Sequence, residues 1–185
     1  MVICAGIDLA ASETRISGVT LAFSDDPLDI KIIKTAKLYK DREILETAIR
    51  YKASLVAVDS PLSLPLRGNY REVDLKLKRM GFNVLPPSWS AMRALTARAS
   101  RLVEAIRGLG AEAVETHPSS CLKSSGCESL EELLGSLGIS IPSRATKHER
   151  DSIIASIACV FYSFNRGLVV RASDGAVILL PKICQ

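Results

Sequence analysis

A chain of 185 residues and 20.0 kDa can bury roughly two-thirds or more of the surface its unfolded form exposes, so a real core within a single domain over 1–185 is expected. No apolar run approaches the roughly 20 residues of a membrane span, and the N-terminus lacks the basic start, apolar stretch and small-residue cleavage site of a signal peptide. The expectation is a cytoplasmic protein that does not engage a membrane, with a modest net charge of +4 that is unevenly spread.

Residues 2–10 and 55–60 are continuous apolar runs, the pattern of central strands covered on both faces. Residues 15–23 and 29–38 read as two further strands, divided by the turn signal Ser24-Asp-Asp-Pro27. The opening is therefore a three-stranded meander. Asp41 is placed to cap a helix over 42–52 that crosses to the strand at 55–60. Residues 61–90 carry Pro61, Pro65, Pro86 and Pro87 around a short basic helix near 70–80, which reads as an insertion. A helix over 91–108 puts Met92, Leu95, Ala99, Leu102, Val103 and Ile106 on one stripe and stops at Gly108 and Gly110. A strand at 111–116 and a small helix near 129–137 follow. The last long helix, 147–165, opens on Thr146-Lys-His-Glu149, the form of a capping box. Segments 169–171 and 177–180, divided by Ser173-Asp-Gly175, close the chain as a hairpin.

Four acidic residues stand where apolar pattern meets chain break. Asp8 and Asp59 end the two central strands, Glu115 lies in Ala113-Val-Glu-Thr-His117, and Asp151 begins the apolar stripe of the last helix. A carboxylate at the end of a buried strand is costly unless a cation, a proton or hydrogen-bond donors compensate it. A right-handed crossover lays the strands of Asp8 and Asp59 parallel, with their carboxyl ends where ligands bind in open α/β sheets. Oxygen-only ligation favours Mg²⁺ or Mn²⁺ over zinc. Plainer roles are also open: Asp59 as a turn former, Glu149 as a capping acceptor, and Asp74 as an i+4 partner of Lys78. His117, Cys121 and Cys127 have neither the spacing of a familiar zinc finger nor a fourth ligand. Ser119 and Ser120 have no evident base. The five cysteines are odd in number, contain no CxxC pair, and read mostly as packing residues. Glutamine occurs only at Gln185, and asparagine only at Asn69, Asn83 and Asn165, a depletion compatible with a hot environment.

Between 67 and 107 nine basic residues face only Glu72, Asp74 and Glu104. Such a local excess suits a polyanionic partner, with Arg67, Arg71, Lys78, Arg79 and Arg93 as phosphate contacts and Tyr70, Phe82 and Trp89 as stacking faces. The bland counterpart is an ordinary solvated helix surface.

The segments Gly6-Ile-Asp-Leu-Ala10, Val58-Asp-Ser-Pro61, Arg71-Glu-Val-Asp74 with Gly81 and Pro86-Pro87, Glu115-Thr-His-Pro-Ser119 and Lys147-His-Glu-Arg-Asp-Ser-Ile153 resemble an uncharacterised family of predicted RNase H-like nucleases over nearly the whole chain. The resemblance implies an α/β, RNase H-like mixed five-stranded sheet of order 3-2-1-4-5, its first three strands antiparallel, with helices on both faces. It also implies Asp8, Asp59, Glu115 and Asp151 as the catalytic and metal-binding set. After Asp8 the chain continues Leu9-Ala-Ala-Ser12, without the glycine that related sugar-kinase and actin-like ATPases use to bring backbone N–H groups onto phosphates. Ser12 and Thr14 remain the available phosphate contacts there. The expected function is a Mg²⁺- or Mn²⁺-dependent nuclease acting on DNA or RNA. Its rivals are a nucleotide-binding phosphotransferase on the same fold and a non-catalytic nucleic-acid or protein-binding module.

Overall fold

The computed structural model describes residues 1–140 and 145–185. Strands β1 (Val2–Asp8), β2 (Ser17–Asp26) and β3 (Asp29–Leu38) form the expected antiparallel meander. Helix α1 (Asp41–Arg50) then crosses to β4 (Leu55–Asp59), which pairs parallel with β1. Asp41 is the first helical residue rather than the cap; Glu43 Oε2 instead accepts from the backbone N–H groups of Tyr39 and Lys40, each at 2.9 Å. The Asp41 carboxylate is taken by the buried Arg98, whose Nε donates at 2.8 Å.

The insertion holds α2 (Glu72–Arg79) and leads into α3 (Ser90–Gly108), after which β5 (Glu112–Thr116) pairs parallel with β4. Helix α4 (Pro118–Ser125) is an element the apolar pattern does not signal. Its signals are punctuation: Pro118 at the first helical position, where no N–H is needed, and Gly126 just past the end at φ 76°. Helices α5 (Leu130–Ser136) and α6 (Lys147–Ser163) follow, the latter opened by Thr146 N–H donating to Glu149 Oε2 at 2.8 Å.

The terminal hairpin, β6 (Leu168–Ala172) and β7 (Gly175–Leu179), extends the expected five-stranded sheet rather than standing apart from it. β7 lies parallel beside β5, and Thr116 Oγ1 donates to the Ile178 carbonyl at 2.9 Å, so the β5 edge is covered. The full order is β3-β2-β1-β4-β5-β7-β6. Alternation along the strands divides the core. Cys4, Leu55 and Ala57 face α6, while Ala5, Ile7, Val56, Val58 and Ala113 face α1 and α3. Among the described residues no helix is long and apolar enough to cross a membrane.

Cys127 and Cys184 form a disulfide that ties the start of α5 to the C-terminal tail. Cys4, Cys121 and Cys159 are free and buried, the packing role expected of them.

Candidate active site

The site begins with how closely α6 lies on the sheet. A Cβ at Gly6 would collide with the Ser152 carbonyl oxygen and the Ser156 nitrogen, and one at Gly18 with the His148 carbonyl. Only glycine at both positions lets the first turns of α6 rest directly on β1 and β2. The Thr20 and Ser152 hydroxyls meet at 2.8 Å in that seam and fix its register. This approach brings His148 and Asp151 over the carboxyl end of β1.

Asp8 and Asp59 are register partners in the parallel β1–β4 pair, so their side chains leave the same face side by side. Asp8, Asp59 and Asp151 all line one cavity of about 360 Å³ at the carboxyl ends of the strands. Their electrostatics are those of a cluster only partly compensated by Lys147 and His148. Burial raises the Asp59 carboxyl well above its ordinary value, and the charges of Asp8, Asp151 and Glu115 push the same way. Asp8 and Asp151 are raised too, chiefly by burial; for Asp151 the Asp8 charge adds to it, whereas His148 pulls Asp8 down. Neither Asp59 nor Asp151 has a side-chain hydrogen bond to another described residue. Asp8 has one, from His148 Nδ1 to Oδ2 at 2.6 Å. His148 falls inside the Lys147–Ile153 segment, but nothing in the sequence pattern gives it a role; its position one turn before Asp151, on the same helix end, is the signal that locates it.

Glu115 also reaches the cavity, but differently. Its register partner is Val58, whereas Asp59 stands beside Thr116, so alternation sends Glu115 toward the α1/α3 face and away from Asp8 and Asp59. There its charge is already met. Arg71 donates from Nη1 to Glu115 Oε2 at 2.8 Å and from Nη2 to Oε1 at 2.6 Å. The Leu62 N–H adds a third bond at 3.0 Å. Burial pushes the Glu115 carboxyl up while Arg71 pulls it down, and the guanidinium stays charged because Glu115 and Asp74 together offset its own burial. Asp74 completes the network, accepting from Arg71 Nη2 at 2.7 Å and from the Arg71 backbone N–H at 2.9 Å. Its partner is thus Arg71 rather than Lys78.

The remaining basic candidates separate by exposure. Arg67, Lys78, Arg79, Arg93 and Trp89 are exposed on the insertion and the start of α3. Lys78 is partly engaged, its ammonium 4.4 Å from the Tyr70 ring centroid. Arg71, expected among the phosphate contacts, is 2% exposed and held by two carboxylates, so it is an internal strut rather than a surface cation. Arg98 is internal as well, which trims the basic excess that linear counting gives.

A divalent cation fits the chemistry of Asp8, Asp59 and Asp151: hard oxygen donors, mutual repulsion and, among the described residues, no competing lysine or arginine bond. As the side chains stand, no group of three or more His, Cys, Asp or Glu among the described residues could hold a metal ion, so a cation at Asp8, Asp59 and Asp151 would need these side chains to draw together and water or substrate oxygens to complete its shell. Zinc at His117, Cys121 and Cys127 does not fit. Cys127 is in the disulfide, and burial pushes the Cys121 thiol up to about 11, disfavouring the thiolate zinc needs.

The chain is similar in structure to T. thermophilus RuvC in complex with Holliday junction substrate, with a TM-score of 0.59 over 89% of this chain and 97% of that one at 14% identity. A second Thermus thermophilus RuvC structure gives a TM-score of 0.56 with the same coverage and identity. The fold is RNase H-like. No protein-family model matches the chain, and no curated protein matches it either. What the RNase H-like scaffold does here therefore has to be argued from its side chains.

Proposed function

We propose that the protein, acting as one domain over 1–185, is a divalent-metal-dependent nuclease that hydrolyses phosphodiester bonds in nucleic acid. The observation that carries this is the convergence of Asp8, Asp59 and Asp151 on one cavity with raised carboxyl pKa values and, among the described residues, no cationic side chain bonded to Asp59 or Asp151. Burial and mutual repulsion outweigh the nearby charge of Lys147, so the three carboxyls still call for a cation, and Mg²⁺ or Mn²⁺ is the class that carboxylate oxygens select. The RNase H-like fold, the Holliday junction bound by the similarly folded RuvC and the motif segments around the four acidic residues support nucleic acid as the substrate.

Asp8, Asp59 and Asp151 would hold the metal, which when bound would neutralise a phosphate and lower the pKa of a coordinated water. Glu115, the fourth acidic candidate, shapes the opposite wall through Arg71. The 2.6 Å bond between His148 Nδ1 and Asp8 Oδ2 fixes the imidazole beside the carboxylates and orients Asp8. Lys147 lines the same cavity and offers its ammonium to a phosphate oxygen. Arg67, Arg79, Arg93 and Lys78, with Trp89, would carry the flanking backbone. A cytoplasmic setting accords with this substrate, and its disulfide would then belong with those found inside hyperthermophile cells.

Single-stranded, duplex and branched DNA and RNA should be incubated with wild type and Asp151→Asn in Mg²⁺, Mn²⁺ and EDTA. Metal-dependent cleavage lost in the variant is expected. Absence of cleavage together with saturable nucleoside-triphosphate hydrolysis would replace this with a phosphotransferase.

A further inference from the structure

The wall facing the carboxylates is not what phosphate chemistry alone requires. Leu77, Val84, Leu85, Met92 and Leu95 line it, supplied by α2, the loop after it and the first turns of α3. Met92 and Leu95 belong to the same helical stripe as Ala99, Leu102 and Ile106. Those later residues are buried against the sheet, while Met92 and Leu95 overhang its end and face the cavity half-exposed. At the lip Leu85 is 57% exposed. A cleft with charged groups on one side and apolar groups on the other suits a ligand that is itself divided.

Resting on the nuclease reading, we propose that this apolar wall receives a single unstacked nucleobase whose phosphate lies against the carboxylates, so that the substrate is nucleic acid with an unpaired nucleotide at the cleavage point. The cavity of about 360 Å³ is enclosed on several sides, which a base still stacked and paired within a duplex has no way to enter. Aliphatic side chains contact either face of any base, which gives affinity without sequence preference. On the same cavity His117 and the exposed Ser119 supply polar atoms for a base edge. His117 Nδ1 is taken by the Ser120 hydroxyl at 2.6 Å, which leaves Nε2, with the Ser119 hydroxyl 3.4 Å from it, to meet a base edge.

The test is fluorescence titration of the Asp151→Asn protein in metal-free buffer, a background that lessens repulsion of phosphate and prevents turnover. The probes are a single-stranded oligonucleotide carrying one 2-aminopurine, the same strand in a duplex, and 2-aminopurine riboside monophosphate. A saturable emission change is expected for the single strand and not for the duplex. Adding Val84→Trp, which fills the wall, should weaken that binding by roughly tenfold or more, and adding Leu85→Ser by several-fold. The monophosphate arm fixes the source: equal affinity means a free nucleotide suffices, and much weaker affinity means the flanking strand is needed. Unchanged emission on binding, or unchanged affinity in both wall variants, overturns the proposal. If Val84→Trp does not fold, Leu85→Ser decides alone, since its side chain is already largely in solvent. The two readings fail separately: metal-dependent cleavage by wild type that the wall variants leave intact removes the base pocket, while base binding without any cleavage removes the nuclease.

Discussion

Arg71 grips Glu115 through two parallel N–H···O bonds at 2.8 and 2.6 Å, with the guanidinium side chain only 1% exposed. The pair joins the insertion to the sheet, because Arg71 precedes α2 and Glu115 sits near the end of β5. Removing one partner strands the other as an uncompensated buried charge. Arg71→Ala, leaving both Glu115 and Asp74 unpaired, is expected to cost about 3–5 kcal/mol by urea unfolding. Glu115→Gln should cost less, because the amide still accepts one Arg71 bond and Asp74 still balances the charge. Equal, small losses in both variants would mean that the pair is not a structural strut.

The Glu115 side chain also shows what separates sequence from structure here. Its place at the end of a strand is legible, and so is the company of Asp8, Asp59 and Asp151. Its facing depends on a register offset of one residue between β4 and β5, which no local pattern specifies. The same limit applies to Arg71 and Arg98: both count as positive charge in a linear sum, and only tertiary contacts reveal that carboxylates consume them. By contrast, the β1–β4 crossover and the close seat of α6 follow from apolar runs, Asp8 and Asp59 at strand ends, and small residues along the helix. The hairpin is legible as two strands, but its addition to the sheet depends on the long-range pairing of Glu115 with Val177.

Asp59 should make the metal-free protein less stable as pH rises. Its folded pKa is raised well above the ordinary aspartate value of about 3.9. The folded state therefore binds more protons than the unfolded state between those two values, and stability falls as pH climbs from about 4 through the raised pKa. Asp59→Asn removes this loss. In EDTA the variant is expected to melt higher than wild type at pH 7, with the advantage shrinking toward pH 4. A variant that melts lower across that range would assign Asp59 a structural hydrogen-bonding role instead.

Metal binding should appear as a stability gain with defined dependence on three residues. At Mn²⁺ a hundredfold above its dissociation constant, linkage supplies about 2.7 kcal/mol, or roughly 5–10 °C in melting temperature for a chain of this size. Asp8→Asn and Asp151→Asn are each expected to abolish the shift in differential scanning calorimetry. Glu115→Gln should keep most of it, because both of its carboxylate oxygens face Arg71. Loss of the shift in Glu115→Gln alone would move the metal to the other face of the sheet.

The disulfide between Cys127 and Cys184 closes a stretch with a sequence separation of 57. On the chain-entropy account a loop of that length gives about 4 kcal/mol. Cys184→Ser is expected to lower unfolding stability by an amount of that order, and wild type in reductant should approach the variant. Neither cysteine lines the carboxylate cavity, so Mn²⁺ stabilisation should persist in the variant. Identical denaturation curves with and without reductant would show that the cysteines are not bridged in solution.

Nucleic-acid affinity should depend on surface arginines and not on Arg71. Arg67, Arg79 and Arg93 are exposed on the insertion and the first turn of α3, and phosphate contacts by such groups release counterions without reading bases. Replacing all three with glutamine is expected to weaken binding across unrelated sequences. It should also flatten the slope of log affinity against log salt on duplex DNA by up to about 0.9 per lost contact. The same protein should retain its Mn²⁺ response, since no arginine in the trio contacts the three aspartates. Titrations at several salt concentrations with unchanged affinity and slope would make this stretch an ordinary solvated surface, and the strand would then have to approach the carboxylates from the α6 side, past Lys147 and His148.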